Sequence, residues 1–377
     1  MDKTNQTLGL DIGNSHIKAV LLDKSGTKHK LIKYLALPAK NTLTNINSNS
    51  NDKLKEARSF LASLIEEHAL QSSDTKIVLP EHEIYSKIIV MPPMKGKEFK
   101  EAIQWEAEQH LPMPVTDVYL KYSIISEQGE SQNKTSLLKK LSQDHGKPQG
   151  KGEIDQSSME VMLVAAPKKT IDRYLKLFSK LPLELNSLEP GSITTTRSCL
   201  NTSSDLDVPT IVLNIGHTNT DIYFILGGSP RFVRSTKIGI SAITKAISRE
   251  VKISEIQATE YLYTYGLEPT GAGVKIRELA SPIVDIILDE LKKSIKFVEN
   301  RTQHFSDVPD NRVKRVLLSG GGALIKGLIL YIAEEVSVEL LLANPWKTLD
   351  TGSIDGEELS DLGPLFPGAV GAALKDN

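Results

Sequence analysis

Leu8-Gly-Leu-Asp-Ile-Gly-Asn-Ser-His-Ile-Lys18 returns later in the chain as Ile211-Val-Leu-Asn-Ile-Gly-His-Thr-Asn-Thr-Asp221. Each copy starts as a short apolar strand, reaches Asp11 or Asn214, turns through Ile-Gly and small polar residues, and leaves as a second apolar strand (Ala19 to Leu22; Ile222 to Leu226). The pattern predicts a β-hairpin with glycine at its turn, where the missing Cβ lets backbone N–H groups approach an anion. Two such hairpins facing each other would hold one polyphosphate from both sides. The repeat therefore bears on function as well as topology.

The remaining sequence sets the bounds. At 377 residues the chain exceeds what one core usually supports, so two or more domains are expected. A net charge of −2, from 45 basic and 47 acidic residues, gives no electrostatic reason to bind nucleic acid. Cys199 is the single cysteine, which excludes a disulfide framework and a thiolate metal site and suits a reducing compartment. The start, Met1-Asp-Lys-Thr-Asn-Gln, lacks the pattern of a signal peptide, and the apolar runs near 211–226 and 283–298 are broken by charged and amide residues. A soluble, cytosolic protein is expected. The eight histidines show no ligand-like spacing, and no Ser-His-Asp or Cys-His constellation is visible.

Strands alternate with helices, which favours α/β architecture. Residues 41–52 are a polar loop, and a helix is expected over Lys53–Ala69 with Leu54, Ala57, Leu61, Leu64 and Ile65 on one face. Strands at Lys76–Leu79 and Tyr85–Val90 precede Met91-Pro-Pro-Met94. A helix over Lys97–Leu111 carries Phe99, Ile103, Ala107 and Leu111 at four-residue spacing, until Pro112 and Pro114 end it. Trp105 falls off that stripe and suits either the neighbouring subdomain or a partner. Strands Val118–Ile125 and Met159–Ala165 flank a polar segment, 127–158, that reads as a flexible insertion; a helix at Lys168–Leu181 completes a β-α-β-β-α unit. After the second hairpin, helices are expected at 241–249, 254–264 and 281–299. The strand Arg315–Ser319 then runs into Gly320-Gly-Gly-Ala323 and a helix, whose start would favour an anion.

Any one of these glycine turns is ordinary; their ordered combination is not. Hairpin, inserted subdomain, second hairpin and strand-to-triple-glycine together resemble the actin-like ATPase superfamily, a ribonuclease H-like two-lobe fold, in which the three segments are the phosphate 1, phosphate 2 and adenosine motifs. More distinctive still are Met91-Pro-Pro-Met94, Glu101-Ala-Ile-Gln-Trp-Glu-Ala-Glu-Gln-His-Leu-Pro-Met-Pro114, Val164-Ala-Ala-Pro167, Ile238-Gly239, Leu318-Ser-Gly-Gly-Gly-Ala-Leu-Ile-Lys-Gly-Leu328 and Ala343-Asn-Pro345. By these residues the chain is similar, within the superfamily, to the PilM family of type IV pilus assembly, related to FtsA and carrying an SHS2-type inserted subdomain. The resemblance implies lobe one over 1–81, the inserted subdomain over 82–182, a return to lobe one over 183–208, lobe two over 209–345 and a final return over 346–377.

The resemblance also implies a site for ATP and Mg²⁺. Gly13, Asn14, Ser15 and Lys18 would hold phosphates, with Lys18 a point charge, and Asp11 would orient Mg²⁺ through water. Gly216, His217, Thr218, Asn219 and Thr220 would face the outer phosphates, Gly320, Gly321, Gly322 and Ala323 would line the adenosine, and Glu260 would reach the ribose. Asn214 stands where the superfamily usually has a second aspartate; it can orient a metal-bound water but adds no charge and cannot act as a base. The family's Glu-x-x-Lys reads Glu260-Tyr-Leu-Tyr263, without the lysine. Hydrolysis is therefore expected to be slow or absent.

The family's partner is the cytoplasmic N-terminal peptide of PilN, a single-pass membrane protein, received in a groove between lobe one and the inserted subdomain. Membrane contact would then be indirect, peripheral at the inner membrane beside other pilus assembly proteins, and self-association is left open. Two alternatives compete. A sugar or carboxylate kinase of the superfamily would need a base that Asn214 does not supply. An FtsA-like division filament protein would need an amphipathic C-terminal helix, which Pro367–Asn377 does not suggest; a GspL-like secretion protein would need a transmembrane segment.

Overall fold

The computed structural model describes residues 5–39, 46, 50–128, 158–200, 202–301 and 312–376. Most of the expected 41–52 loop and 127–158 insertion lies outside the described residues. By contacts the chain forms two compact units, Met1–Glu83 with Thr170–Asn377, and Ile84–Lys169.

The larger unit opens with a meander of β1 (Gln6–Ile12), β2 (His16–Asp23) and β3 (Lys30–Pro38). Helix α1 (Asn51–Glu67) then leads to β4 (Ser72–Leu79). Ser50 caps α1 by accepting from the Lys53 amide, and Ala57, Leu61, Leu64 and Ile65 are its buried face, as the periodicity requires.

The smaller unit comprises β5 (Tyr85–Met91), α2 (Gly96–His110), β6 (Val118–Gln128) and β7 (Ser158–Pro167), an antiparallel sheet in the order β5-β7-β6. Phe99, Ile103 and Ala107 of α2 bury against Ile89, Met91, Met159, Val161 and Leu163. Trp105, off that stripe, is 60% exposed.

The chain re-enters the larger unit through α3 (Lys168–Phe178), which Arg58 of α1 ties down by donating to the Lys176 and Leu177 carbonyls at 2.6 and 3.3 Å. Next come β8 (Leu183–Pro190) and α4 (Gly191–Cys199). Lobe two follows with β9 (Thr210–Ile215), β10 (Thr220–Leu226), β11 (Ser229–Thr236), α5 (Ile240–Val251), α6 (Glu255–Tyr265), α7 (Gly273–Arg301), β12 (Arg315–Ser319), α8 (Leu328–Ala333) and β13 (Glu339–Leu342). Helix α9 (Pro367–Ala373) then returns to lobe one.

The repeat seen in the two hairpins extends to whole sheets. Lobe one has five strands in the order β3-β2-β1-β4-β8, and lobe two has β11-β10-β9-β12-β13. In each, the hairpin's first strand is central, antiparallel to its hairpin partner and parallel to the strand on its other side. The fold is α/β and actin-like. All seven β10 residues are buried, so the alternation of a half-exposed strand is absent.

Two elements differ from the sequence reading. Helix α7 begins at Gly273 rather than near 281 and runs through Pro282. The carbonyl of Glu278, which loses its usual amide donor to proline, receives the Ser281 hydroxyl at 3.4 Å instead. After β12, the triple glycine does not open an α-helix. Gly321–Leu324 is a 3-10 turn, and α8 starts only after Gly327, whose φ of +72° interrupts the path. The triple glycine is therefore followed directly by a 3-10 turn and not by the N-terminus of an α-helix.

Candidate functional site

The register of the two hairpins is the same. Asp11 pairs with Lys18 and Asn214 with Asp221, each at the last position but one before the turn. The Gly13 amide donates to the His16 carbonyl at 2.9 Å, and the Gly216 amide to the Asn219 carbonyl at 2.9 Å. A Cβ at either glycine would stand 2.9 Å from that carbonyl oxygen, so both turns are closed to larger residues. The tips meet: Asn14 Nδ2 donates to Thr218 Oγ1 at 2.7 Å, joining the two lobes. Both hairpins line one cavity of about 520 Å³, within the usual range for small-molecule sites.

Charge is arranged differently in the two. Lys18 Nζ lies 2.7 Å from Asp11 Oδ2, a half-buried ion pair. Across β9 and β10 the pair is an amide and a carboxylate: Asn214 Nδ2 donates to Asp221 Oδ2 at 3.3 Å. Asp221 also accepts from Ser235 Oγ at 2.5 Å and from the Tyr223 hydroxyl at 3.4 Å. Burial raises the Asp221 carboxyl above its usual range, against the lowering effect of those donors. His16 and His217 both lie below the usual imidazole value. Burial is the main cause, followed by Lys18 for His16 and Lys245 for His217. Lys18 is therefore the cation that the hairpins offer at neutral pH.

Of the residues singled out in the sequence, Asp11, Gly13, Asn14, Ser15, Lys18, Asn214, Gly216, His217, Thr218, Asn219, Gly320 and Gly321 line this cavity. Four others lie off its wall. Thr220 is buried and donates to the Ile238 carbonyl at 2.7 Å. Ala323 is part of the lobe-two core, and a Cβ at Gly322 would meet the Ile215 side chain at 2.4 Å. Glu260 is exposed on α6, one residue beyond the cavity-lining Thr259.

The sequence reading missed several wall residues. Glu81 and His82 follow β4, and Glu81 Oε1 accepts from the Ser192 amide at 2.6 Å, satisfying the start of α4. Gly368 at the start of α9 would place a Cβ 3.4 Å from Asp11 Oδ2. Tyr263, already noted in place of the family's lysine, donates its hydroxyl to the Gly321 carbonyl at 3.1 Å, and burial pushes it up to about 12. With Ile240, Leu324 and Leu365 it gives the cavity an apolar wall. Asp221 was in view as the last residue of the quoted repeat, but only the cross-strand register puts it on the wall.

Among the described residues no helix is long and apolar enough to cross a membrane, and no group of three or more His, Cys, Asp or Glu side chains could hold a metal alone. The chain is similar to a solved PilM-PilN type IV pilus biogenesis complex, at 23% identity over 98% of this chain and 97% of that one, with a TM-score of 0.77. It is also similar to the ethanolamine utilization protein EutJ from Carboxydothermus hydrogenoformans, at 12% identity over 98% and 89% of the two chains, with a TM-score of 0.50. The profile of the type IV pilus assembly protein PilM family matches residues 9–144 and 148–377, which is nearly the whole sequence. The chain belongs to the PilM family of type IV pilus assembly proteins.

Proposed function

We propose that this protein is a Mg²⁺·ATP-binding scaffold of the pilus inner-membrane assembly platform that receives the cytoplasmic N-terminal peptide of a PilN-like membrane protein. The observation that carries the nucleotide half is the meeting of two glycine hairpins of equal geometry on one cavity, joined by Asn14 and Thr218. Their turns are cradles that a Cβ would fill, with Lys18 beside them. The same cavity has the apolar wall of Ile240, Tyr263, Leu324 and Leu365 that a base requires. Mg²⁺ fits a site of scattered acids, because it prefers one or two carboxylates together with phosphates and water. Asp11 would face it through water; bound there, it would neutralise phosphate charge.

Holding the nucleotide, more than splitting it, is the task we infer. Asn214 cannot act as a base, and Tyr263 brings a neutral hydroxyl where a lysine would contribute charge. Phosphate release is expected well below the roughly 1–100 s⁻¹ of kinases. The partner half rests on family membership and on the similarity to a PilM-PilN complex. It would keep the protein cytoplasmic and bring it to the inner membrane indirectly, among other pilus assembly proteins. Calorimetric titration with Mg²⁺·ATP, and separately with a synthetic N-terminal peptide of the PilN-like protein of the same genome, tests both halves. Absence of nucleotide binding would sink the first, and absence of peptide binding the second.

A further inference from the structure

The two hairpins carry one carboxylate each, on opposite strands. In the first it is Asp11, on the incoming strand, facing Lys18; in the second it is Asp221, on the outgoing strand, facing Asn214. Both line the cavity. Resting on the reading of that cavity as a Mg²⁺·ATP site, we propose that Asp221 is a positioning residue that supplies the second carboxylate orienting metal-bound water, a role its ladder partner Asn214 leaves vacant.

Three observations support this. Asp221 is 9% exposed and its carboxylate is held from three sides by Ser235, Tyr223 and Asn214, so its direction is set before any ligand arrives. None of the described ion pairs includes Asp221; the basic group that acts on it is His82, on the same cavity wall, and the donors that hold its carboxylate are neutral, which leaves its charge for a cation. The amide at 214 is itself explained by Asp221. Asn214 Nδ2 lies 3.3 Å from Asp221 Oδ2, while its Oδ1 lies 2.7 Å from where a Cβ on Gly320 would stand. Two carboxylates at that separation could not both ionise, so an acid on the outgoing strand requires a neutral donor on the incoming one.

The test is calorimetry of the full-length protein with ATP, with and without Mg²⁺, for wild type, D221N and the exchange variant N214D/D221N. The ratio of affinities with and without Mg²⁺ is the readout. In D221N this ratio is expected to fall by about tenfold with ATP-only affinity no weaker, the scale of one charge acting across water. In the exchange variant, which restores a carboxylate to the ladder position, the ratio is expected to return. An unchanged ratio in D221N overturns the proposal, and so does an exchange variant that fails to regain it, because the D221N effect would then be packing. Should D221N not fold, the exchange variant alone decides by the same criterion. Wild type that binds no ATP under either condition would instead overturn the nucleotide reading on which this rests.

Discussion

Gly320 sets the strictest demand on the cavity wall, and replacing it with alanine measures that demand. Its backbone lies at φ +81° and ψ 176°, a region that is almost exclusively glycine's. Holding alanine there costs about 1–3 kcal/mol. The added Cβ would also stand 2.5 Å from the Ile215 carbonyl oxygen, 2.7 Å from Asn214 Oδ1 and 2.9 Å from the Ile215 carbonyl carbon. Those atoms belong to β9, a central strand whose ladder with β12 pairs Ser319 with Asn214, so they cannot yield cheaply. Overpacking of this kind adds about 1–3 kcal/mol. The Gly320 amide also donates to the Pro364 carbonyl at 2.7 Å, so displacement loosens the return to lobe one. We expect G320A to lose roughly 2–6 kcal/mol in total. G271A is the control, since Gly271 has φ +56° and nothing within 4 Å of its would-be Cβ, leaving backbone strain alone. Urea unfolding in a W105F background, where buried Trp346 is the remaining indole, reports the larger unit. A G320A loss no greater than that of G271A would refute the steric half of this reasoning.

Three further outcomes are expected. K18Q should keep a hydrogen bond to Asp11 while removing the charge, weakening Mg²⁺·ATP by about tenfold to a hundredfold in calorimetry; an unchanged affinity would remove Lys18 from the site. His16 and His217 are lowered from 6.5, so the unfolded chain takes up their protons first as pH falls. The stability they permit is present above about 6.5 and lost as pH drops toward their folded values, and H16N/H217N should flatten the dependence of the urea midpoint over that window. Cys199 is buried and pushed up to about 12, so a thiol reagent at pH 8 should modify it at the rate of unfolding and no faster.

How much of this was legible in the sequence depends on whether the signal lay in one segment or between two. The hairpins, the stripes of α1 and α2 and the strand before Gly320 are local patterns, and the structure has them within a few residues. Strand β13 was not legible, since Glu339–Leu342 is an edge strand with Leu341 and Leu342 exposed and no alternation to read. Nor was β8, whose Leu183–Pro190 is half polar and fully buried only at Pro190. The extended start of α7 was hidden by Pro282, which reads as a stop until Ser281 is seen covering the freed carbonyl.

The site divides along the same line. The glycines and Lys18 were legible because a turn without a Cβ and a cation beside it are properties of one segment. The acids were only half legible, because a carboxylate's place on a wall is a property of the ladder. Read along the strand, Asn214 is a lost charge; read across it, the charge has moved one strand over to Asp221, with Asn214 as its donor. The charge a hairpin offers therefore depends on the cross-strand partner as well as on the motif position itself. Here that partner restores one acid to each hairpin while leaving the pair unable to gain a second. On the proposed Mg²⁺·ATP reading, each lobe would then contribute one carboxylate to the cleft.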